Sequence, residues 1–384
     1  MLTKNINLKF SKTLKKNKKI FDKLKILFEK KNQILNSFSS QYKDSFKKKD
    51  IIKFKDYQNV TVIGMGGSVL GARAIYNFLK SKIKKEFTFK DDFDLENTSK
   101  KKKLNLIISK SGNTLETISN ANVIINKKHS NIFITENKNS YLMNLAKKLK
   151  AEIIHHNNFI GGRYSVLSEV GMLPASLMGL KVNKFRRFNE LIKNKSFVNS
   201  LVINVANTMQ QIKKKKFNSI VLNYDTDSSD LFAWYQQLVA ESLGKKGKGI
   251  FPVISNMPKD NHSLMQLYLD GPKNSFYTFF YLKEKFSKKI INRNILDTHK
   301  YLKGKNLSEI KHSQYLATLK VFKDKKIPHR CFEIFRKNEE TLGELFTFFM
   351  LETILLGKVM SLNPYDQPAV ELIKVNTKKI LIKS

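Results

Sequence analysis

The sequence contains little cysteine, little arginine and no long apolar run. Its single cysteine, Cys331, excludes an internal disulfide framework and is typical of a reducing compartment. The most apolar stretch, residues 345–356, is interrupted by Thr347, Glu352 and Thr353 and is shorter than the roughly 20 apolar residues that span a bilayer. The first residues lack the apolar core of a signal peptide. We therefore predict a soluble, cytoplasmic protein with no membrane contact.

Negative charge is also scarce, so the 384-residue chain has a formal net charge of +39. Such a charge is common in proteins that bind nucleic acids. However, arginine is the usual reader of base edges, and nearly all of this positive charge comes from scattered lysines. The chain contains no recognisable nucleic-acid motif, so we interpret the lysines as solvated surface and expect no nucleic-acid partner. The arginines are Arg73, Arg163, Arg186, Arg187, Arg293, Arg330 and Arg336.

Short β-branched runs alternate with helical patterns along most of the chain. This alternation is typical of parallel sheets covered by helices on both faces. The length suffices for two domains, and we predict an α/β fold with two tandem three-layer αβα domains. The predicted strands are 60–63, 104–108 and 132–134 in the first domain, and 219–222, 249–251, 276–281 and 331–335 in the second.

Four segments follow from this pattern. They are a Lys-rich helical segment over 1–52, the first α/β domain over 53–185, the second over 186–360, and a C-terminal loop and helix over 361–384. The N-terminal helix is either packed on the domain that follows it or free to bind a partner.

Two loops follow predicted strands and open predicted helices, which is where backbone N–H groups favour an anion. The first is Gly64-Met65-Gly66-Gly67-Ser68. A dinucleotide-binding loop needs a third glycine where this chain has Val69, so no nucleotide cofactor is expected. A tight turn without a ligand remains the alternative for this loop.

The second loop, residues 109–114, is richer in polar groups. Ser109, Ser111 and Thr114 supply three hydroxyls and Lys110 a cation, which together could hold a phosphate dianion. The alternative is an ordinary helix cap, but a cap needs only one hydroxyl.

Four further motifs contain groups suited to proton transfer next to a carbonyl. Glu241 lies in the run from Gln237 to Lys245, and Gln237 and Glu241 share a helix face because they are four apart. Gly161-Gly162-Arg163-Tyr164-Ser165 offers a permanent cation beside two glycines. His262 is of a residue type suited to proton transfer, and Lys374 closes the run that begins at Tyr365. Aldose–ketose isomerisation requires a base and a cation at the developing oxyanion, without metal or redox cofactor.

With the two loops, these motifs resemble the glucose-6-phosphate isomerase (phosphoglucose isomerase) family over residues 55–378, and the loops resemble those of sugar isomerase (SIS) domains. The resemblance implies reversible conversion of glucose 6-phosphate to fructose 6-phosphate through an enediolate, a step of glycolysis and gluconeogenesis. It also implies a homodimer, with His262 entering the site from the neighbouring subunit.

The resemblance assigns a role to each candidate residue. Glu241 would be the base, Arg163 would stabilise the enediolate, His262 and Lys374 would open the sugar ring, and Glu116 would orient His262. The substrate would be bound by Gly67, Ser68, Ser109, Lys110, Ser111, Thr114, Gln237 and Gln367. No metal and no cofactor are expected. The remaining histidines are interpreted as structural: His129, His155, His156, His299, His312 and His329.

Three alternative functions differ in what they require. A non-catalytic sugar-phosphate sensor would need the hydroxyl-rich loop but not Glu241, Arg163, His262 and Lys374 together. A broader isomerase would also accept mannose 6-phosphate, and the sequence does not distinguish this substrate range. A nucleic-acid binder would rest on charge alone, and its binding would fall steeply with salt.

Overall fold

A computed structural model describes residues 1–12, 14–29, 32–93, 103–126, 128–283 and 287–383 of the chain. The strands within these residues are β1 Ile6–Phe10, β2 Asn59–Gly64, β3 Glu86–Lys90, β4 Leu104–Ile108, β5 Ser130–Thr135, β6 Glu152–His155, β7 Asn218–Asn223, β8 Phe251–Asn256, β9 Ser275–Leu282 and β10 His329–Ile334.

The helices within the same residues alternate with the strands. They are α1 Lys18–Glu29, α2 Gln33–Asn36, α3 Lys48–Ile52, α4 Leu70–Phe78, α5 Leu115–Ile124, α6 Tyr141–Lys148, α7 Glu169–Leu177, α8 Phe188–Leu191, α9 Lys195–Lys213, α10 Ser229–Leu243, α11 Asp260–Ser263, α12 Met265–Asp270, α13 Leu307–Asp324, α14 Glu339–Val359 and α15 Glu371–Lys383.

The first sheet is parallel throughout and has the strand order β3-β2-β4-β5-β6. Its central strand β4 is buried along its whole length, as expected for a strand covered on both faces. The carboxyl ends of β2 and β4 are neighbours, since Gly64 pairs with Ile108. The two polar loops predicted from the sequence therefore start side by side at one edge of this sheet.

The second sheet has the order β1-β10-β9-β7-β8, and its strands are parallel except for β1. Strand β1 pairs antiparallel with β10, joining Ile6 to Ile334. The N-terminal segment is therefore not simply helical, because it contains strand β1. This strand belongs to the second sheet and not to the first, which directly follows the segment in the chain. Helix α1 likewise packs on α9 and α14 of that unit, so it does not cover the domain that directly follows it in the chain. Strand β8 begins at Phe251, where the predicted strand ends.

Both sheets are covered on both faces, so the predicted α/β class with two αβα units is confirmed. Helices α5 and α6 lie on one face of the first sheet, with a small apolar core beneath them. Helix α13 covers one face of the second sheet through Tyr315, Leu319 and Phe322. The other faces share one large core, in which α14 is buried almost throughout. Helix α4 of the first unit packs directly against α10 of the second.

Helix α15 has no buried residue. Leu372, Ile373 and Ile382 of this helix are each at least 70% exposed. No helix in the described part of the chain is long and apolar enough to cross a membrane.

Candidate active site

Arg163 lies at the centre of the candidate site, in a short 3-10 helix over Gly162–Leu167. Its side chain is only 1% exposed, and protein groups satisfy its donors. Nε donates to Ser242 Oγ at 2.8 Å, and Nη1 donates to Gln367 Oε1 at 2.8 Å. Nη2 donates to the carbonyl oxygens of Pro364 and Asp366 at 2.9 and 3.0 Å. These bonds fix the Arg163 guanidinium between Ser242 of the second unit and the C-terminal segment that contains Pro364 and Gln367.

Glu241 lies in the last turn of α10 and faces Arg163. Its Oε1 is 2.9 Å from Arg163 Nη1, and its Oε2 accepts a hydrogen bond from Gln237 Nε2 at 3.1 Å. The Gln237 contact follows from the i, i+4 spacing of the two residues on the helix. The Glu241 side chain is 24% exposed, so the carboxylate is oriented by two partners and is still accessible.

The glycines of the first loop allow close approach to the groups around Glu241. Gly66 has φ +52°, and a Cβ there would lie 2.7 Å from Gln237 Nε2. A Cβ on Gly67 would lie 2.1 Å from the backbone carbon of Gly162. Side chains at these positions would therefore separate the loop from both the helix and the arginine segment. Ser68, at the end of the same loop, is partly exposed.

The second loop keeps its hydroxyls away from an ordinary helix cap. Thr114 is the residue before α5, yet its side chain makes no capping bond. Its hydroxyl lies 2.9 Å from Ser109 Oγ instead. Ser111 Oγ accepts from the amide of Asn113 at 3.2 Å. None of these contacts is the capping bond expected of an ordinary helix start.

Lys110 is oriented by groups behind the second loop. Its Nζ donates to the carbonyl oxygen of Asn158 at 2.6 Å and lies 3.6 Å from Glu136 Oε1. Two loops, one after β5 and one after β6, therefore hold this lysine beside the Ser109–Thr114 loop.

The C-terminal segment is attached to the site by the residues around Gln367. Lys245 Nζ lies 2.8 Å from Asp366 Oδ1. The hydrogen bond from Lys245 is the main reason why the pKa of the Asp366 carboxyl is lowered. The Tyr365 hydroxyl accepts from Asn32 Nδ2 at 2.9 Å. These contacts position the backbone carbonyls that Arg163 uses.

The predicted ring-opening residues lie outside this arrangement in the single chain. His262 is exposed in α11. Lys374 lies on the exposed helix α15 and pairs with Glu371 at 2.6 Å. Glu116, in the first turn of α5, is partly exposed. The fold thus brings together Arg163, Glu241, Gln237, Gln367 and the first glycine loop, while His262 and Lys374 remain on the surface.

Two residues around Arg163 were not identified from the sequence as part of the site. Ser242, fully buried, accepts from Arg163 and lies 2.9 Å from the Tyr164 hydroxyl. The Tyr164 hydroxyl also donates to the carbonyl of Pro364 at 3.1 Å. Burial raises the pKa of Tyr164 to about 12, so the phenol stays protonated. The signal for both was their position directly after Glu241 and Arg163 in the chain.

The chain is similar to known proteins over most of its length. The phosphoglucose isomerase family matches residues 28–384 of the chain. A glucose-6-phosphate isomerase of Methanocaldococcus jannaschii is 33% identical over 351 residues, covering 86% of each chain.

Two solved structures share the fold. A hypothetical protein from Thermus thermophilus superposes with a TM-score of 0.83 at 23% identity, covering 94% of each chain. A glucose-6-phosphate isomerase from Chlamydia trachomatis superposes with a TM-score of 0.73 at 16% identity, covering 94% of this chain and 83% of that one. The family match over most of the chain carries the assignment: this protein belongs to the phosphoglucose isomerase family.

Proposed function

We propose that this protein interconverts D-glucose 6-phosphate and D-fructose 6-phosphate, with Glu241 as the base. The observation that carries the proposal is the ion pair between accessible Glu241 and buried Arg163, 2.9 Å apart. A base and a fixed cation are the two groups that proton transfer through an enediolate requires.

Glu241 takes the proton from C2 of the open-chain aldose and returns it to C1. The electron pair of the C2–H bond forms the C1–C2 double bond of a cis-enediolate, and the oxygen on C1 takes up negative charge. The hydroxyl proton on O2 then passes to O1, so that the return of the proton to C1 leaves the carbonyl of the ketose at C2. Arg163 compensates this charge. Its side chain is only 1% exposed, so water screens the interaction weakly. Gln237 and Gln367, which contact Glu241 and Arg163, bind the sugar hydroxyls.

The phosphate group of the substrate binds at the carboxyl ends of β2 and β4. Ser109, Ser111 and Thr114 donate hydroxyls to its oxygens, and Lys110 contributes charge. Gly67 and Ser68 form the other wall. Anion binding at a strand-to-helix loop is favoured by free backbone amides and the helix dipole.

Ring opening requires a second proton-transfer group near the ring oxygen, and we assign this role to His262 and Lys374. Both side chains are exposed in the single chain. We therefore propose a homodimer in which His262 of one subunit completes the site of the other, with Glu116 orienting the imidazole. Lys374 joins the site when α15 closes over it.

The reaction belongs to glycolysis and gluconeogenesis, since both routes pass through this pair of hexose phosphates. We expect it to take place in the cytoplasm, as the single buried cysteine, Cys331, indicates.

A coupled assay with purified protein tests the proposal. Glucose 6-phosphate and fructose 6-phosphate should each be converted into the other, without added metal or nucleotide. Mannose 6-phosphate in the same assay defines the substrate range. A protein that binds these hexose phosphates but leaves both unchanged would be a sensor, and the proposal would be wrong.

A further inference from the structure

A second cavity, of about 580 Å³, lies at the amino ends of β9 and β10. Its walls come from the end of α9, the end of α13 and the loop before β9. Ligand pockets in proteins typically enclose about 300–1,000 Å³, so this cavity has the size of a small-molecule site. It shares no lining residue with the candidate active site.

Cationic side chains dominate the wall of this cavity. No carboxylate is among its lining residues, and no salt bridge in the described part of the chain neutralises its lysines. Lys216 and Lys273 donate to backbone carbonyls instead, those of Lys273 and Leu269. The lining lysines are Lys12, Lys214, Lys216, Lys273, Lys323, Lys325 and Lys326.

The lysines lie close enough to oppose one another's charge. Burial and then repulsion from Lys214 and Lys273 lower the pKa of the Lys216 ammonium. A polyanion in the cavity would relieve this repulsion, because an opposite charge within about 4–6 Å favours the charged form of a lysine.

The floor of the cavity is aromatic. Tyr277 packs edge-on against Tyr268 and against Phe322, with ring centroids 5.5 and 4.9 Å apart. Side-chain amides of Asn207 and Gln211 line the same cavity. Apolar ring faces beside amide groups suit a planar heterocycle, which stacks on one and hydrogen-bonds to the other.

A second lysine-lined cavity shows that charge alone does not create this combination. That cavity, between α1 and α9, is lined by lysines, by the amides of Asn17 and Gln210 and by aliphatic side chains, and no aromatic residue lines it. The cavity at β9 and β10 therefore differs by its aromatic rings, not by its lysines or its amides.

We propose that the cavity at the amino ends of β9 and β10 binds an organic polyphosphate carrying a planar ring, of the size of a nucleoside triphosphate. The lysines bind the phosphates, while Tyr268 and Tyr277 border the ring, with buried Phe322 packed behind Tyr277. The site is independent of the proposed isomerase chemistry.

Calorimetric titration with ATP, tripolyphosphate and inorganic phosphate tests this site. The test variant is Lys214→Glu with Lys273→Glu and Lys325→Glu, which are exposed positions on three different walls. The matched control is Lys84→Glu with Lys147→Glu and Lys148→Glu, which makes the same charge change on exposed lysines of the first unit. A third variant, Ser109→Ala with Thr114→Ala, removes hydroxyls of the candidate active site only.

ATP should bind the wild-type protein about tenfold more tightly than tripolyphosphate, since stacking of the ring adds to the phosphate contacts. The test variant should lose ATP affinity by at least about tenfold. The control and the Ser109→Ala, Thr114→Ala variant should keep it within about twofold. If the circular dichroism spectrum shows that the triple variant is misfolded, Lys273→Glu alone replaces it as the test variant. This single change should weaken ATP binding by about two- to fivefold.

Three outcomes would overturn the proposal. Equal ATP affinity in the test and control variants would mean diffuse charge attraction. Equal affinity for ATP and tripolyphosphate would show that the ring makes no favourable contact in the cavity. Weakened binding of a single-stranded oligonucleotide in the test variant, with ATP binding unchanged, would make a polynucleotide the occupant.

Discussion

Arg163 and Glu241 form an ion pair with 2.9 Å between Nη1 and Oε1, and the two partners differ sharply in exposure. The arginine side chain is 1% exposed and the glutamate 24% exposed. The cation is held by protein groups on all its nitrogens, whereas the carboxylate opens towards solvent. This asymmetry fits the roles proposed for the two residues, a fixed stabilising charge and an accessible base.

Replacing Arg163 by lysine should damage both activity and stability. An ammonium group keeps the charge but cannot reach Ser242, Gln367 and the two carbonyls together. We expect kcat to fall by at least about 100-fold. The free energy of unfolding should fall by about 3 kcal/mol, because buried acceptors lose their donors.

Steady-state kinetics and urea denaturation measure these two effects. The control is Arg293→Lys, because Arg293 is exposed and takes part in none of these contacts; it should match the wild type in both measurements. A fully active Arg163→Lys protein would show that the guanidinium geometry is not needed.

Replacing Gly67 by alanine should push the loop at residues 64–68 away from the segment at residues 161–165. Its Cβ would lie 2.1 Å from the backbone carbon of Gly162, a distance that requires the backbone to move. Gly161→Ala is the matched control, since a Cβ there has no heavy atom within 4 Å. Gly67→Ala should lose most of kcat/KM and lower Tm by several degrees, while Gly161→Ala should change neither. Thermal melts and steady-state kinetics measure both quantities. Equal Tm and equal kcat/KM in the two variants would show that the close approach of Gly67 to Gly162 is unimportant.

Mixed dimers should test whether His262 acts across a subunit interface. His262→Ala and Glu241→Gln subunits are each expected to be inactive. If a site uses Glu241 of one chain and His262 of the other, a mixed dimer retains one intact site. We expect recovered activity in dimers purified with two different affinity tags. Inactivity of such verified heterodimers would contradict the shared site.

Acid should weaken the protein partly through His156, which is 1% exposed. Burial lowers the pKa of this imidazole below its ordinary value of 6.5, although Glu169, 3.8 Å away, acts in the opposite direction. The folded state therefore binds the proton less well than the unfolded state. The stabilisation from neutral His156 is complete above about pH 6.5 and is lost as pH falls from there towards the lowered pKa.

Urea midpoints at pH 7.5 and 5.5 measure this effect. The His156→Gln variant should lose less stability than the wild type between these two pH values. Exposed His155 provides the control, since His155→Gln should keep the wild-type pH dependence. An unchanged pH dependence in His156→Gln would assign the acid sensitivity to other groups.

The central strands could be predicted from the sequence, but the edge strands could not. Strands β2, β4, β7 and β9 are rich in apolar residues and buried over almost their whole length, because both faces of each sheet are covered. Strand β1 has the sequence INLKF and pairs with β10, whose register joins Ile6 to Ile334. No local pattern indicates a partner so far along the chain.

The same contrast applies to the site. Glu241 and Gln237 share a helix face, so their contact follows from spacing alone. The carbonyls of Pro364 and Asp366 that bind Arg163 could not be predicted, because backbone groups leave no trace in residue identity. Lys374 is recognisable by its motif, yet helix α15 leaves it exposed in the single chain.

The central claim is most directly tested by the kinetics of Glu241→Gln. The amide keeps the size of the side chain and a hydrogen-bond acceptor for Arg163, but it cannot take a proton from carbon. We predict that kcat for glucose 6-phosphate falls by about 100- to 10,000-fold, while affinity for 5-phosphoarabinonate changes by less than about threefold. A Glu241→Gln enzyme with wild-type kcat would contradict the account.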